Sequence, residues 1–186
     1  MKKLISILAF MLLSAPAYAE SLLDNTILGI AFINQDADIK ISGPTTSASV
    51  SESGSGFGIY LDKYHKRKYR FNGTLSYITY DDFDVMQAML SADYLIPVNG
   101  TVTFFAGASG GGALQQYSDA SFSDSSLGFV YGAQAGAIAY INKNIMLELG
   151  YRARPTSIET EIESSPGTTT TVEDMSETYF SVLLMF

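Results

Sequence analysis

The sequence predicts an all-β fold, an eight-stranded antiparallel up-and-down transmembrane β-barrel. Three observations support this prediction. After the N-terminal segment, the apolar residues, which make up 47% of the chain, fall into short stretches, and none approaches the roughly 18 residues that a transmembrane helix needs. Within these stretches apolar and polar side chains alternate, as in a strand whose two faces differ. Short and long connections also alternate along most of the chain, which is the layout of a membrane barrel.

The chain begins with the features of a secretory signal peptide. Two lysines precede an apolar stretch from Leu4 to Leu13, and the small-residue sequence Ala17-Tyr18-Ala19 follows. An apolar stretch of about ten residues is too short to span a bilayer as a helix. We therefore expect residues 1–19 to be a cleaved signal peptide and residues 20–186 to form one barrel domain. The chain contains no cysteine, which excludes a lipid-modified cysteine and disulfide bonds.

Eight stretches carry the strand signal, because each is rich in Tyr, Phe, Ile, Val, Gly and Thr and is bounded by Asn, Gly, Asp, Ser or Pro. Their predicted ranges are 26–40, 54–65, 68–80, 84–97, 101–117, 126–142, 144–156 and 173–186. Tight turns are expected at 66–67, 97–100 and 142–144, and long polar loops at 41–53, 118–125 and 157–172. Only the link at 81–83 is short where the pattern requires a long one.

Each stretch has one apolar face and one face of glycine, polar or charged residues. The alternation is sharpest in the seventh stretch, where Leu149 and Tyr151 share one face and Glu148 and Arg152 the other. Alternation alone does not separate a membrane barrel from a soluble one, which turns its apolar face inward. However, aromatic residues lie near both ends of the apolar face, as two membrane interfaces favour. They are Tyr69, Phe71, Tyr94, Phe104 and Phe186 beside the tight turns, and Phe57, Tyr77, Phe129, Tyr131 and Tyr151 towards the long loops. We therefore expect the apolar face to point outward to lipid.

The sequence ends in a strongly apolar stretch, "ETYFSVLLMF", in which every second residue counted from the end is apolar: Phe186, Leu184, Val182 and Phe180. Because lipid cannot satisfy an open sheet edge, we expect the last strand to close the barrel by pairing with the first. Together with the segment "YGAQAGAIAYINKNIMLELGYRA" and the strand count, this ending resembles the small eight-stranded outer-membrane β-barrel family, the OmpA-barrel and OmpX-like proteins often described as porin-like.

The resemblance has implications for location and assembly. It implies an integral protein of a Gram-negative outer membrane, with both termini in the periplasm. It also implies that the four alternating C-terminal residues form the signal recognised by the outer-membrane assembly machinery. Lipid and lipopolysaccharide of that membrane would then be the immediate partners of the barrel.

The inward face is expected to carry a network of charges. An eight-stranded barrel is only wide enough to be filled by side chains or to hold one small ligand. By the expected register, the inward charged residues are Asp62, Arg70, Asp93, Glu148, Arg152, Arg154 and Glu177. We expect the first three to meet near the periplasmic end and the last two arginines to face Glu177. Because buried charges offset their desolvation only by close pairing, the sequence predicts a lumen plugged by side chains.

Catalytic and metal-binding constellations are absent from the sequence. The single histidine, His65, falls in a tight turn with no catalytic partner expected near it, and metal sites built from cysteine or paired histidines are excluded. We therefore predict no enzyme activity, no cofactor and no metal site. Loss of Lys2 and Lys3 with the signal peptide would change the net charge from −8 to −10, which argues against nucleic acid as a partner.

The predicted long loops are acidic and rich in Ser, Thr and Gly, and we expect them outside the cell. The function predicted from the sequence is a structural or surface-interaction role through these loops, with an unspecified external partner. Bridging of loop carboxylates to lipopolysaccharide phosphates by Ca²⁺ or Mg²⁺ is a further hypothesis. Two alternatives stay open: a narrow channel or binding barrel for a small solute, and a lipid-A-modifying enzyme.

Overall fold

The computed structural model describes residues 26–42, 47–66, 68–81, 83–119, 122–161 and 169–185. The predicted signal peptide and Phe186 lie outside these residues, so the predicted cleavage site stays a prediction. No helix in the described part of the chain is long and apolar enough to cross a membrane.

The described residues form eight antiparallel strands in one closed barrel. The strands are β1 (Thr26–Ser42), β2 (Ser47–His65), β3 (Tyr69–Thr79), β4 (Phe83–Pro97), β5 (Val102–Asp119), β6 (Phe122–Tyr140), β7 (Ile145–Glu161) and β8 (Thr169–Met185). Each strand pairs with its neighbours in the chain, and β8 closes the barrel on β1 from the Ile27–Met185 pair to the Ser42–Thr169 pair. The predicted fold class and the closure by the last strand are confirmed.

Three tight turns lie at one end of the barrel, which we call the tight-turn end, and both described termini lie there too. Lys66, in the β2–β3 turn, has a positive φ of 51°. In the β4–β5 turn the side-chain oxygen of Asn99 accepts hydrogen bonds from the backbone N–H groups of Thr101 and Val102, both at 2.8 Å. Asn142 does the same for Asn144 and Ile145 before β7. Asparagine favours such turns because its side chain replaces a backbone acceptor, and the three predicted tight turns are confirmed.

The opposite end, which we call the projecting end, differs from the sequence-based prediction. β2 begins at Ser47 where position 54 was expected, and β7 continues to Glu161 where 156 was expected. The described parts of the expected long loops at 41–53, 118–125 and 157–172 are therefore strand, which corrects that prediction for these parts. Residues 43–46, 120–121 and 162–168 of the expected loops lie outside the described residues.

The physical reason for the longer strands lies in cross-strand pairs between polar residues. The hydroxyl of Ser51 donates a hydrogen bond to Asp38, and that of Ser53 to Asp36, both at 2.5 Å. Lys40 pairs with Glu173 at 3.1 Å between β1 and β8. Such pairs stabilise neighbouring strands without apolar alternation. As a result, β2 extends eight residues, 47–54, beyond the point where its pairing with β3 ends at Ser55–Thr79.

Side chains alternate between the two faces of the barrel wall along every strand. In β8, Phe180 and Val182 are 46% and 41% exposed, whereas Tyr179 and Leu183 are buried. Large apolar side chains are exposed on the outer surface around the barrel. The charged residues that were predicted to point inward are buried. The inner face, however, also holds large apolar side chains, among them Ile33, Ile78 and Phe105. It is therefore a mixed core, richer in apolar residues than the sequence pattern indicates.

Candidate functional site in the barrel lumen

A cluster around Arg70, which we call the lower cluster, lies inside the barrel towards the tight-turn end. The guanidinium group of Arg70 on β3 forms ion pairs with Asp62 on β2 at 3.4 Å, with Asp93 on β4 at 2.8 Å, and with Glu148 on β7. All four side chains are at most 1% exposed. The guanidinium also lies 4.4 Å from the centre of the Phe105 ring, in a cation–π contact.

The ion pair between Arg70 and Glu148 crosses the lumen. β3 and β7 are separated by three strands in either direction around the barrel, so the two residues come from opposite walls. A second hydrogen bond, from Nη2 of Arg70 to Oε1 of Glu148 at 3.2 Å, makes the contact bidentate. The lower cluster therefore ties the two walls together across the full width of the barrel.

The lower cluster contains one cation and three carboxylates, so neutral donors complete the hydrogen bonding. Asn72 donates to Asp62, Gln134 donates to Asp93 at 2.6 Å, and the hydroxyl of Tyr179 donates to Glu148 at 2.8 Å. Each carboxylate thus receives hydrogen bonds from Arg70 and from one neutral side chain. These ion pairs and hydrogen bonds offset the cost of removing the carboxylates from water.

A second cluster, which we call the upper cluster, surrounds Glu177 nearer the projecting end. Arg152 pairs with Glu177 at 2.5 Å, and Arg154 pairs with its other oxygen. Gln35 on β1 donates to Glu177 at 3.2 Å and accepts from Gln87 on β4 at 3.0 Å. Arg154 also donates to Gln87. Since β1, β4, β7 and β8 all contribute, the upper cluster also bridges the lumen.

Two residues join the clusters into one network. Gln134 accepts a hydrogen bond from Nε of Arg152 at 3.0 Å while it donates to Asp93 of the lower cluster. Tyr179 places its ring 4.1 Å from the guanidinium of Arg152 and its hydroxyl on Glu148. The two clusters are thereby joined by direct contacts.

Apolar layers lie beyond the network at both ends of the lumen. Buried residues close to the tight-turn end are Ile27, Leu95, Ile138, Met146 and Leu183. Buried residues close to the projecting end are Ile39, Tyr80, Phe83, Val172 and Met175. The rings of Tyr80 and Phe83 stack at 4.3 Å beside the β3–β4 link. The charged network is therefore enclosed between two apolar layers, where the low dielectric strengthens its ion pairs.

Glycines on the inner face make room for the largest side chains of the network. A Cβ at Gly136 would lie 2.6 Å from the Phe105 ring, and a Cβ at Gly150 would overlap the ring of Tyr179. At either position the added Cβ would lie closer to the ring than carbon atoms allow. The aromatic rings that support Arg70 and Arg152 thus occupy space that only glycine leaves free.

The seven charged residues predicted for the inner face all lie in this network, and the structure adds neutral partners that the sequence reasoning did not identify. Gln35, Gln87, Gln134, Tyr80 and Tyr179 are the main ones. Alternation within the strands would place Tyr80, Gln87, Gln134 and Tyr179 in the lumen. Nothing in the sequence, however, indicates which residues meet across the lumen. The sequence predicts Asp62 and Asp93 as partners of Arg70, but it does not indicate the contact of Arg70 with Glu148.

The remaining predicted residues lie elsewhere. Phe180, Val182 and Leu184 are on the outer surface of β8, and Phe186 lies outside the described residues. His65 is exposed at the end of β2, and its imidazole has no hydrogen-bond partner among the residues that the structure describes. Within the same part of the chain, no group of three or more His, Cys, Asp or Glu side chains is arranged to hold a metal ion.

The closed eight-stranded barrel, apolar outside and charged within, has the fold of the small outer-membrane β-barrels. Three solved structures illustrate the likeness. Neisserial surface protein A is 17% identical, with a TM-score of 0.61 over 84% of this chain and 97% of that chain. Outer membrane protein H (OprH) from P. aeruginosa is 19% identical, with a TM-score of 0.58 over 87% and 99%. Outer membrane protein OprG from Pseudomonas aeruginosa is 11% identical, with a TM-score of 0.54 over 86% and 96%.

These likenesses concern the fold. No protein-family model matches the sequence, and no curated protein sequence matches it. The solved structures support an outer-membrane β-barrel, and the role of the chain has to be argued from its own residues.

Proposed function

We propose that this chain is an integral outer-membrane protein whose lumen is closed by its own side chains, and that it acts as a structural and surface-interaction protein. The observation that carries this proposal is the ion pair between Arg70 and Glu148, which joins opposite walls of the barrel. A solute crossing the barrel would have to separate these buried charges. Breaking such a pair costs about 3–5 kcal/mol because one charge is left uncompensated.

The distribution of exposed charge supports an orientation for the barrel. Acidic side chains at the projecting end include Asp36, Asp38, Asp81 and Glu173, whereas the exposed charges of the tight turns are Lys66, Lys68 and Lys143. A cleaved signal peptide at residues 1–19 would deliver the chain to the periplasm, and both ends of the barrel domain would remain there. The acidic end would then face outside the cell, where it meets an external partner or, through divalent cations, lipopolysaccharide.

Assembly into the membrane is part of the proposal. The outward side chains of Phe180, Val182 and Leu184, continued by Phe186, supply the alternating apolar signal that the outer-membrane assembly machinery would read. Lipid contacts of the outer surface would then stabilise the inserted barrel.

A non-enzymatic role is also proposed. The only histidine, His65, is exposed at the end of β2. It lies three residues from Asp62 of the lower cluster but on the opposite face of the strand, and the buried network has no solvent access for a substrate. Mass spectra of lipid A from cells with and without the protein should therefore be identical. A new lipid A species on expression would favour the enzyme alternative.

Conductance in planar bilayers tests the closed lumen. The purified barrel should give little or no steady current, and the double variant Arg70→Ala/Glu148→Ala, which removes the contact across the lumen, should conduct more. Lys143→Ala, a change in an exposed turn, serves as the control and should behave like the wild type. Large steady currents from the wild-type barrel would contradict the proposal and favour the narrow-channel alternative.

A further inference from the structure

The outer surface carries an apolar groove across β2, β3, β4 and β5. Its volume is about 540 Å³, and it is open to the surrounding lipid. Gly73, Ala88 and Gly110 lie along the groove, and Ile59, Leu61 and Leu90 border it. The register explains the shape, because Gly73 lies opposite Leu61 on one side and Leu90 on the other, and Leu90 lies opposite Gly110.

The space in the groove is not taken up by neighbouring side chains. A Cβ at Gly73 would lie 3.7 Å from Cδ2 of Leu90 and 3.9 Å from the carbonyl oxygen of Leu61, which are ordinary contacts. A Cβ at Gly110 would lie 3.7 Å from the ring of Phe129. These outward glycines therefore differ from Gly136 and Gly150, whose missing side chains are required by the interior packing. Glycine weakens a strand, so its use here leaves an open groove without a packing reason.

A basic turn lies directly below the groove, at the tight-turn end. Lys63 pairs in register with Phe71, two residues along β2 from Leu61 of the groove border. Lys63, Lys66 and Lys68 are all exposed. None of them forms an ion pair with a carboxylate of the described residues. Tyr69 and Tyr94, whose rings meet edge to face at 5.6 Å, stand beside the same turn, where tyrosines are typical of a membrane interface.

The depth of the groove fits one leaflet of a bilayer. Lys63 and Ile59 are four residues apart on β2, a distance of about 13 Å along a strand. With a strand tilt of about 40°, this corresponds to a depth of about 10 Å. Half of the hydrocarbon core is about 15 Å thick. The groove therefore lies between the level of the lysines and the middle of the membrane.

We propose that the groove and the basic turn bind one anionic glycerophospholipid of the periplasmic leaflet. An acyl chain would lie in the groove, and the headgroup phosphate would interact with Lys63, Lys66 and Lys68. The leaflet assignment rests on the orientation proposed above. A second copy of this chain is a poorer occupant, because a symmetric contact through this face would bring the two lysine groups together. The charge of the turn favours an anionic headgroup.

Native mass spectrometry of the purified full chain in detergent micelles tests this site. The barrel should retain one molecule of dioleoylphosphatidylglycerol, and retention of dioleoylphosphatidylcholine should be at least about tenfold weaker, because a lysine near an anionic headgroup contributes about fivefold in affinity. The triple variant Lys63→Gln/Lys66→Gln/Lys68→Gln should lose this preference. Lys143→Gln, in another turn of the same end, should keep it.

Filling the groove tests the acyl-chain half of the site. Gly73→Leu should lower retention of both lipids, whereas Ala133→Leu, which adds a similar side chain to the outer surface of β6, should not. Gly110→Leu provides a second groove variant if the first does not fold. For each variant, folding of the barrel is checked first by the gel mobility of the unboiled sample.

Each outcome bears on the lipid site. Equal retention of the two lipids by a folded wild-type barrel would overturn it and would leave the closed-lumen proposal intact. Preferential retention of lipopolysaccharide would also overturn it. Failure of the wild-type barrel to insert into bilayers would instead overturn the proposed function.

Discussion

Replacing Arg70 by methionine tests how the lower cluster stabilises the barrel. The substitution keeps much of the side-chain volume but removes Arg70, the only cation among the described residues that pairs with Asp62, Asp93 and Glu148. Three carboxylates would then share a site in which all of them are at most 1% exposed, each with one neutral donor left. We expect the free energy of unfolding to fall by about 3–5 kcal/mol, the cost of leaving buried charge uncompensated.

A matched variant separates charge from simple loss of contacts. Glu148→Gln keeps an oxygen that can accept hydrogen bonds from Arg70 and from the Tyr179 hydroxyl. It also brings the cluster from three carboxylates per arginine to two. We therefore expect the free energy of unfolding to change by less than about 1.5 kcal/mol, the usual range of one hydrogen bond.

The assay is urea unfolding of the barrel in lipid vesicles, followed by far-ultraviolet circular dichroism. The chain contains no tryptophan, so tryptophan fluorescence is not usable. Midpoints and slopes are compared between the two variants and the wild type. A free energy of unfolding for Arg70→Met within about 1 kcal/mol of the wild type would contradict this role of the Arg70 charge. Equal destabilisation by Glu148→Gln and Arg70→Met would contradict it as well.

Three further predictions concern other parts of the barrel. Gly150→Val should prevent folding or cost several kcal/mol, because its Cβ would overlap Tyr179, whereas Gly73→Val on the outer surface should fold normally; gel mobility of unboiled samples distinguishes them. Phe83→Ala, which removes one ring of the stacked pair at the projecting end, should lower stability by about 3–5 kcal/mol in the same urea assay, and a change below 1 kcal/mol would contradict the buried position. Ser51→Ala should change stability by less than about 1 kcal/mol, since its bond to Asp38 is exposed, and a larger loss would show that the projecting strands support the barrel.

The fold and the faces of the strands could be predicted because they depend on local pattern. Alternation assigns a side chain to one wall face, and short turns determine which residues become neighbours. In this way Arg70 pairs in register with Asp93, and Arg152 with Glu177. Such contacts lie within one hairpin, so counting from the turn is sufficient.

Contacts across the lumen could not be predicted in the same way. Arg70 with Glu148 and Gln35 with Gln87 depend on the stagger between strands around the barrel, which sets heights on opposite walls. The projecting strand ends were also missed. Their Ser-rich and Thr-rich sequence is typical of loops, but cross-strand bonds such as Ser53 with Asp36 let the same residues form strands.

The unequal strand lengths have a consequence for what reaches the protein from outside. β2 rises eight residues, about 26 Å along the strand, above the point where it leaves β3. The projecting end of the barrel is therefore uneven. The strands β1, β2, β7 and β8 extend further from the barrel than the β3–β4 link. In the orientation proposed above, a large external partner would contact these longer strands before it reached the β3–β4 link. Substitutions on the exposed faces of these strand ends would then change the external contacts without altering the residues of the buried network.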